Sequence, residues 1–190
     1  MKAVILNGGK KDDATGVTIH GLVCDSLKEQ GWEVSSLPLA EMKIHACIGC
    51  FNCWFKTPGE CSFKDDGQTV AKEIAQCDAL IFLSQVTFGG YSSTLKYAAD
   101  RIIPTISPLF EWVDGEMHHK LRYPPGHRFV AIGWQQVQDA ESAAVFTQLA
   151  ARNALNMHRF AIEDTVLCAG QSPTEQRIQI AQIVAKLEEN

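Results

Sequence analysis

Five short strand-like runs, each tied to a stretch of helical spacing, constrain this chain more than any other feature. The runs are residues 2–7, 32–37, 79–83, 128–133 and 159–166. Segment 15–30 carries Val17, Ile19, Leu22, Val23 and Leu27 at helical spacing and stops at Gly31. Helices are predicted over 67–76, over 93–103 with Pro104 as the stop, over 140–156, and over 173–189 with Pro173 near its start. Strands alternating with helices imply a parallel sheet covered on both faces. Right-handed crossovers then leave few topologies, and the order 2-1-3-4-5 is the simplest for five strands. The expectation is a single α/β domain over 1–190, a doubly wound five-stranded parallel sheet with helices on both faces. Its ligand crevice lies at the carboxyl ends of strands 1 and 3, where the winding reverses.

A length of 190 residues suits one such domain, and 46% hydrophobic against 21% charged residues is an ordinary globular balance. The net charge of −5 argues against a nucleic-acid partner, which needs a basic face. No stretch approaches the roughly 20 apolar residues of a membrane span. No targeting segment is visible, since the run at 3–6 is too short for a signal core. The expected location is the cytoplasm, with no membrane partner. Two connections, 45–66 and 104–127, are longer than ordinary loops, and such loops usually carry function.

Three loops fall at the crevice. The first, Asn7-Gly8-Gly9-Lys10-Lys11-Asp12-Asp13-Ala14-Thr15-Gly16, joins strand 1 to a helix N-terminus, where backbone N–H groups and the helix dipole suit a phosphate. It is neither a Walker loop nor a G-x-G-x-x-G fingerprint. The second, Gln85-Val86-Thr87-Phe88-Gly89-Gly90-Tyr91, runs from a buried strand to a Ser-capped helix. Its glycines let backbone approach a planar ligand, and its aromatics either cover a ring or pack inward. The third is Gly133-Trp134-Gln135-Gln136, after strand 4.

The second loop with Leu95-Lys96 and Asp100-Arg101 resembles the flavin loop of the NAD(P)H-dependent FMN reductase and iron–sulfur flavoprotein families, which are flavodoxin-like. The likeness covers nearly the whole chain. It implies that FMN is bound, with Gln85, Val86, Thr87, Phe88, Gly89, Gly90 and Tyr91 at the ring and ribityl chain. It further implies Gly8, Gly9, Lys10, Lys11, Thr15 and Thr18 around the phosphate, and Gly133, Trp134 and Gln135 in a third contact. The first loop departs from those families: Asp12 and Asp13 repel a phosphate unless they point away, and Lys10 or Lys11 supplies the compensating charge.

Four of seven cysteines, Cys47, Cys50, Cys53 and Cys61, form C-x2-C-x2-C-x7-C. Such spacing lets thiolates converge on a metal or cluster. Zinc, a Cys50/Cys53 redox pair and bare thiols are the competing readings. The spacing also resembles the iron–sulfur flavoprotein motif for a [4Fe–4S] cluster, with a long fourth gap. The loop is expected near the flavin crevice of this or a neighbouring subunit. Cys24, Cys77 and Cys168 read as buried small hydrophobes.

The 104–127 insert, with Phe110, Trp112, His118, His119, Arg122 and Tyr123, reads as a lid or a subunit contact. Arg122 or Arg128 is a candidate for the extra phosphate of NADPH. The leading functional expectation is an FMN-dependent oxidoreductase moving electrons from NAD(P)H to an unknown acceptor, with no residue required as a catalytic acid or base. An iron–sulfur flavoprotein electron carrier and a non-enzymatic thiol or metal sensor are the alternatives. A homodimer or homotetramer is expected by likeness.

Overall fold

The computed structural model describes residues 1–124, 128–161 and 165–188. In chain order the elements are β1 (Lys2–Asn7), α1 (Ala14–Glu29), β2 (Glu33–Pro38), α2 (Asn52–Phe55), α3 (Gly67–Gln76), β3 (Ala79–Gln85) and α4 (Ser93–Asp100). Then come β4 (Ile106–Val113), β5 (Glu116–Leu121), β6 (Arg128–Gln135), α5 (Ala140–Asn156), β7 (Phe160–Ala161), β8 (Thr165–Cys168) and α6 (Pro173–Ala185). The main sheet runs β2-β1-β3-β6-β7 with β8 also paired to β6, and every pair in it is parallel. Taking β7 and β8 as the two described parts of the fifth strand, this is the flavodoxin-like order 2-1-3-4-5 expected from the sequence.

Side chains of a strand alternate between faces, and the core divides accordingly. Ala3, Ile5, Ile81 and Ile132 meet Ile19, Val23 and Leu27 of α1 and Ile180 and Val184 of α6. Val4, Leu6, Phe82 and Ala131 meet Val70 and Ile74 of α3, Leu95 of α4 and Phe146 and Ala150 of α5. Burial on both faces explains why β1, β3 and β6 read as unbroken apolar runs. Four helices start with a side-chain cap: Asp13 accepts from Gly16 N, Ser92 from Leu95 N, Asp139 from Ser142 N and Ser172 from Glu175 N. Each cap satisfies an N–H that the first turn leaves unpaired, worth about 1 kcal/mol.

Three expectations change. The helix over 93–103 ends at Asp100, and Pro104 sits inside a separate 3-10 turn, Ile103–Thr105. The 104–127 insert is an antiparallel hairpin of β4 and β5 rather than an irregular loop. Its turn, Asp114-Gly115, has φ of 49° and 81°, the doubly positive pattern that matches strand twist. Residues 125–127 of the insert, and 162–164 of the fifth strand, lie outside the described residues. Of the three isolated cysteines only Cys77 is buried; Cys24 and Cys168 are half-buried.

Candidate functional site

At the carboxyl edge of the sheet the first two loops are pressed together. Gly8 N donates to Leu83 O at 2.8 Å, and Ser92 Oγ donates to Gly8 O at 3.0 Å. A Cβ on Gly8 would stand 2.7 Å from Ser92 Oγ and 2.8 Å from Leu95 Cβ, so only glycine fits there. Gly9 N donates to its neighbour Asn7 Oδ1. The acidic residues have a definite placement: Asp13 caps α1, its Oδ2 accepts from Trp134 Nε1 at 2.7 Å, and Gln136 Nε2 donates to its Oδ1 at 3.4 Å. Asp12 is exposed. Of the hydroxyls, Thr15 is half-buried on the first turn of α1, while exposed Thr18 spends its hydroxyl on Ala14 O. Lys11 pairs with Glu41 at 2.9 Å.

The second loop is a tight turn. Thr87 and Gly90 exchange both backbone hydrogen bonds, and Phe88 and Gly89 take φ of 50° and 75°. The turn throws Phe88 fully into solvent, whereas Tyr91 is buried edge-on against Phe82 and Phe146. Gln85 is exposed and Val86 half-buried. In the third loop Trp134 is fully enclosed, and Gln135 braces Asp139 through both ends of its amide, Nε2 donating to Asp139 O and Oε1 accepting from Asp139 N. Gly133 is tight, a Cβ there standing 2.9 Å from Val86. These residues build the loops' shape. A cleft of about 420 Å³ adjoins the first loop and the start of α4: Lys10, Thr94 and Tyr97 bound it, Leu39, Ala40, Met42 and Ile44 form its wall, and no residue of 85–91 or 133–135 lines it. Sequence reading named only Lys10 of these. The rest come from the segment after β2 and the first turn of α4, and no motif marks them.

The cysteine segment forms a closed-neck loop. His45 N donates to Asp65 Oδ2 at 2.9 Å, and Lys43 and Asp66 bond each other through Lys43 N and Asp66 N. Arg101, 2% exposed, grips Asp65 with both ends of its fork and donates to His45 O. Burial pushes the Asp65 carboxyl up, but Arg101 and the two His45 donors outweigh it and hold the acid well below the usual carboxylate range. Thus α4, whose first turn follows the flavin-like loop, also locks the base of the cysteine loop.

All four motif cysteines line one cavity of about 680 Å³. Cys47 and Cys50 are exposed, Cys61 is half-buried and Cys53 is buried. Burial, then the negative fields of Cys61, Cys47 and Cys50, pushes the Cys53 thiol up, so the four share one electrostatic neighbourhood. Among the described residues no three Cys, His, Asp or Glu side chains converge closely enough to hold a metal ion. A four-thiol set facing one cavity fits a thiolate-ligated metal or iron–sulfur group in donor chemistry, and the loop must tighten to ligate it. The hairpin docks on this loop through a ladder of rings: Phe51–Trp54 at 4.9 Å, Trp54–His119 at 4.8 Å and His119–Phe110 at 4.3 Å. The other walls are Ala99 in α4's last turn, Ile102 and Ile103 just after it, and Asn153 and Asn156 late in α5. That places the cavity about 12 Å along α4 from Ser92, at 1.5 Å per residue, and outside the crevice of its own chain. One link remains: Asn153 Nδ2 donates to Tyr91 Oη at 2.9 Å.

A doubly wound flavodoxin-like sheet with a cleft at its switch point defines the class of nucleotide- and flavin-binding α/β proteins. Within that class the chain belongs to the NADPH-dependent FMN reductase family, which it matches over residues 1–165. It is therefore a member of a flavin-dependent NAD(P)H reductase family. An iron–sulfur flavoprotein of Methanocaldococcus jannaschii is 31% identical over 104 residues, 55% of this chain and 53% of that protein. An iron–sulfur flavoprotein of Archaeoglobus fulgidus is 29% identical over 104 residues, 55% of this chain and 46% of that protein. The match spans about half the length of these relatives. Among solved structures, the NAD(P)H:quinone oxidoreductase from Methanothermobacter marburgensis is similar with a TM-score of 0.72 at 13% identity, covering 99% of both chains. An FMN-dependent NADH-azoreductase from Bacillus anthracis in complex with FMN is similar with a TM-score of 0.65 at 15% identity, covering 98% of both. At such identities the likeness is one of fold. No helix of the described residues is long and apolar enough to cross a membrane.

Proposed function

We propose that the chain is an FMN oxidoreductase that takes electrons from NAD(P)H and passes them to an acceptor. The observation that carries this reading is the switch-point cleft between Lys10 and Thr94, in a chain of the FMN reductase family. The residues fit the cofactor. Met42, Ile44 and Tyr97 offer an apolar wall for the ring system, and Lys10, exposed at the rim, offers a cation for the phosphate. Asp13 does not oppose the phosphate freely, because its carboxylate is already spent on Gly16 N, Trp134 and Gln136. Bound flavin supplies hydride acceptance and electron release. The protein's own residues hold and orient it: Thr94 and Tyr97 reach the cleft from the start of α4, which the Thr87–Gly90 turn leads into, and Trp134 fixes the first loop from below. The test is anaerobic: NADH or NADPH is mixed with FMN-loaded protein and nucleotide absorbance is followed. Oxidation of either supports the reading, and none with both overturns it.

The four thiols around one cavity support a second layer, an iron–sulfur group that makes the protein an electron carrier as well. The two relatives bear iron–sulfur flavoprotein names, and the donor chemistry agrees. Clustered thiolates repel one another, and a bound cationic centre relieves that repulsion. Because the cavity sits away from its own chain's crevice, electrons would reach it along α4 or from the flavin of a second copy. A homodimer or homotetramer, the cytoplasmic setting and a role for Arg122 or Arg128 toward NADPH belong to this proposal too. Arg122 Nε is engaged by Pro104 O.

A further inference from the structure

Arg101 is enclosed by the two arms of the cysteine loop. On one arm its Nη1 donates to His45 O at 2.8 Å, two residues before Cys47. On the other its guanidinium stands 5.4 Å from the centre of the Phe63 ring and forks Asp65, two and four residues after Cys61. Phe63 stacks in turn on His45 at 5.1 Å, so the arms close over the cation. The start of α3 seals another side: a Cβ on Gly67 would stand 2.8 Å from Nη2. Two residues of extended chain reach at most about 7 Å, so the first and last thiols of the motif are tethered close to this one guanidinium. The fork leaves one donor over. Nη1 and Nη2 are spent on Asp65 and His45, while Nε is buried and has no hydrogen-bond partner. Buried donors are nearly always paired, so this one calls for an acceptor. Burial opposes the Arg101 charge, but the bond to Asp65 and the negative fields of Cys61, Asp65 and Cys47 outweigh it and hold the guanidinium pKa above its ordinary value. Of the two thiols, Cys61 is half-buried and on the arm that covers the guanidinium, whereas Cys47 is exposed.

We propose that Arg101 is a positioning residue of the four-thiol site, its Nε–H donating to the Cys61 thiolate once the loop tightens around a metal ion. The proposal rests on the reading of that site as metal-binding. A hydrogen bond between ionised partners is shorter and stronger than a neutral one, so the donor acts on the thiolate far more than on the thiol. The bond fixes the direction of the sulfur and lowers the energy of its lone pairs, which sets the site's affinity and electronic character from behind the ligands. It also accounts for an arginine here. A lysine would supply a cation for Asp65, but would place a carbon where Nε stands.

The experiment is an anaerobic Co²⁺ titration of the full chain, reduced and stripped of metal, read by the thiolate-to-cobalt charge-transfer absorption. Arg101→Lys keeps the cation and replaces Nε–H by a methylene. The expected result is a Co²⁺ affinity lower by about 10–100-fold, the usual cost of losing a partner behind a metal ligand, and a charge-transfer band moved to longer wavelength. Asp65→Asn loosens the neck but keeps Nε–H, and its band stays at the native position. Arg101→Met with Asp65→Leu removes both charges of the pair together. It shifts the band as Arg101→Lys does, and it serves if the lysine variant does not fold. A native band position in the Arg101 variants, or an equal shift in Asp65→Asn, overturns the proposal and leaves the metal site standing. A native chain without charge-transfer absorption overturns the convergence of the thiols on one centre, and this proposal with it.

Discussion

The indole Nε1 of Trp134 donates to Asp13 Oδ2 at 2.7 Å, joining two loops 121 residues apart in sequence. This bond ties the end of β6 to the cap of α1 directly beneath the first loop. It also explains Gly16: a Cβ there would stand 2.6 Å from the Trp134 ring. Gly16→Ala, which in an open helix would gain stability, is expected to lose about 1–3 kcal/mol here by overpacking. Asp13→Ala removes a cap and strands a buried indole N–H, for a loss of about 2–3 kcal/mol. In urea unfolding, Asp13→Ala and Trp134→Phe should be non-additive in a double-mutant cycle. Simple additivity would mean the contact is incidental.

Phe88 is a bulky residue at φ of 50° with its ring wholly in solvent, so neither packing nor burial offsets the backbone strain within one chain. Phe88→Asn places Asn-Gly at the two positive-φ positions of the turn. The expected outcome is a gain of about 0.5–1 kcal/mol in thermal unfolding. A loss would show that the ring is buried against a second copy.

Arg101 and Asp65 are 1% and 5% exposed at the side chain and 2.7 Å apart. Arg101→Met leaves a buried carboxylate unpaired and should cost about 3–5 kcal/mol. The pH dependence follows from the depressed Asp65 acidity. The folded form binds fewer protons than the unfolded, so the stabilisation is fully present above the ordinary value near 4 and is lost as the pH falls through the folded value. Denaturation midpoints measured between about pH 6 and pH 3 should drop for the native chain and drop less for the Arg101→Met, Asp65→Leu pair. Equal acid slopes would contradict it.

The parallel sheet is legible because β1, β3 and β6 are buried on both faces and so read as unbroken runs. The hairpin is not: β4 alternates between half-buried and exposed residues without a clean period, and Pro108 weakens the pattern. Its one clear signal is Asp114-Gly115 between two β-rich runs. The loops holding Gly8, Gly89 and Trp134 are visible as motifs, but which residues face a ligand is not. That depends on long-range packing: Trp134 is drawn under the first loop by Asp13, Tyr91 inward by Phe82 and Asn153, and the cleft wall comes from Leu39, Met42 and Ile44, which carry no motif at all. The cysteine spacing points to a shared site, yet nothing local shows that Arg101, forty residues beyond Cys61, locks its neck.

The thiols make a direct analytical prediction. Protein purified without oxygen should carry iron and acid-labile sulfide, and Cys50→Ser or Cys61→Ser should lose most of both while retaining flavin. Zinc in place of iron would support the four-thiol site and exclude the cluster.

The central claim is that the cleft beside Lys10 holds FMN. It is tested most directly by titrating flavin-free protein with FMN and following flavin fluorescence. Quenching should saturate at about one FMN per chain, and Lys10→Glu should bind FMN, but not riboflavin, about tenfold more weakly for loss of one charge-assisted phosphate contact. Fluorescence that stays unquenched, or an affinity that Lys10→Glu leaves unchanged, would contradict it.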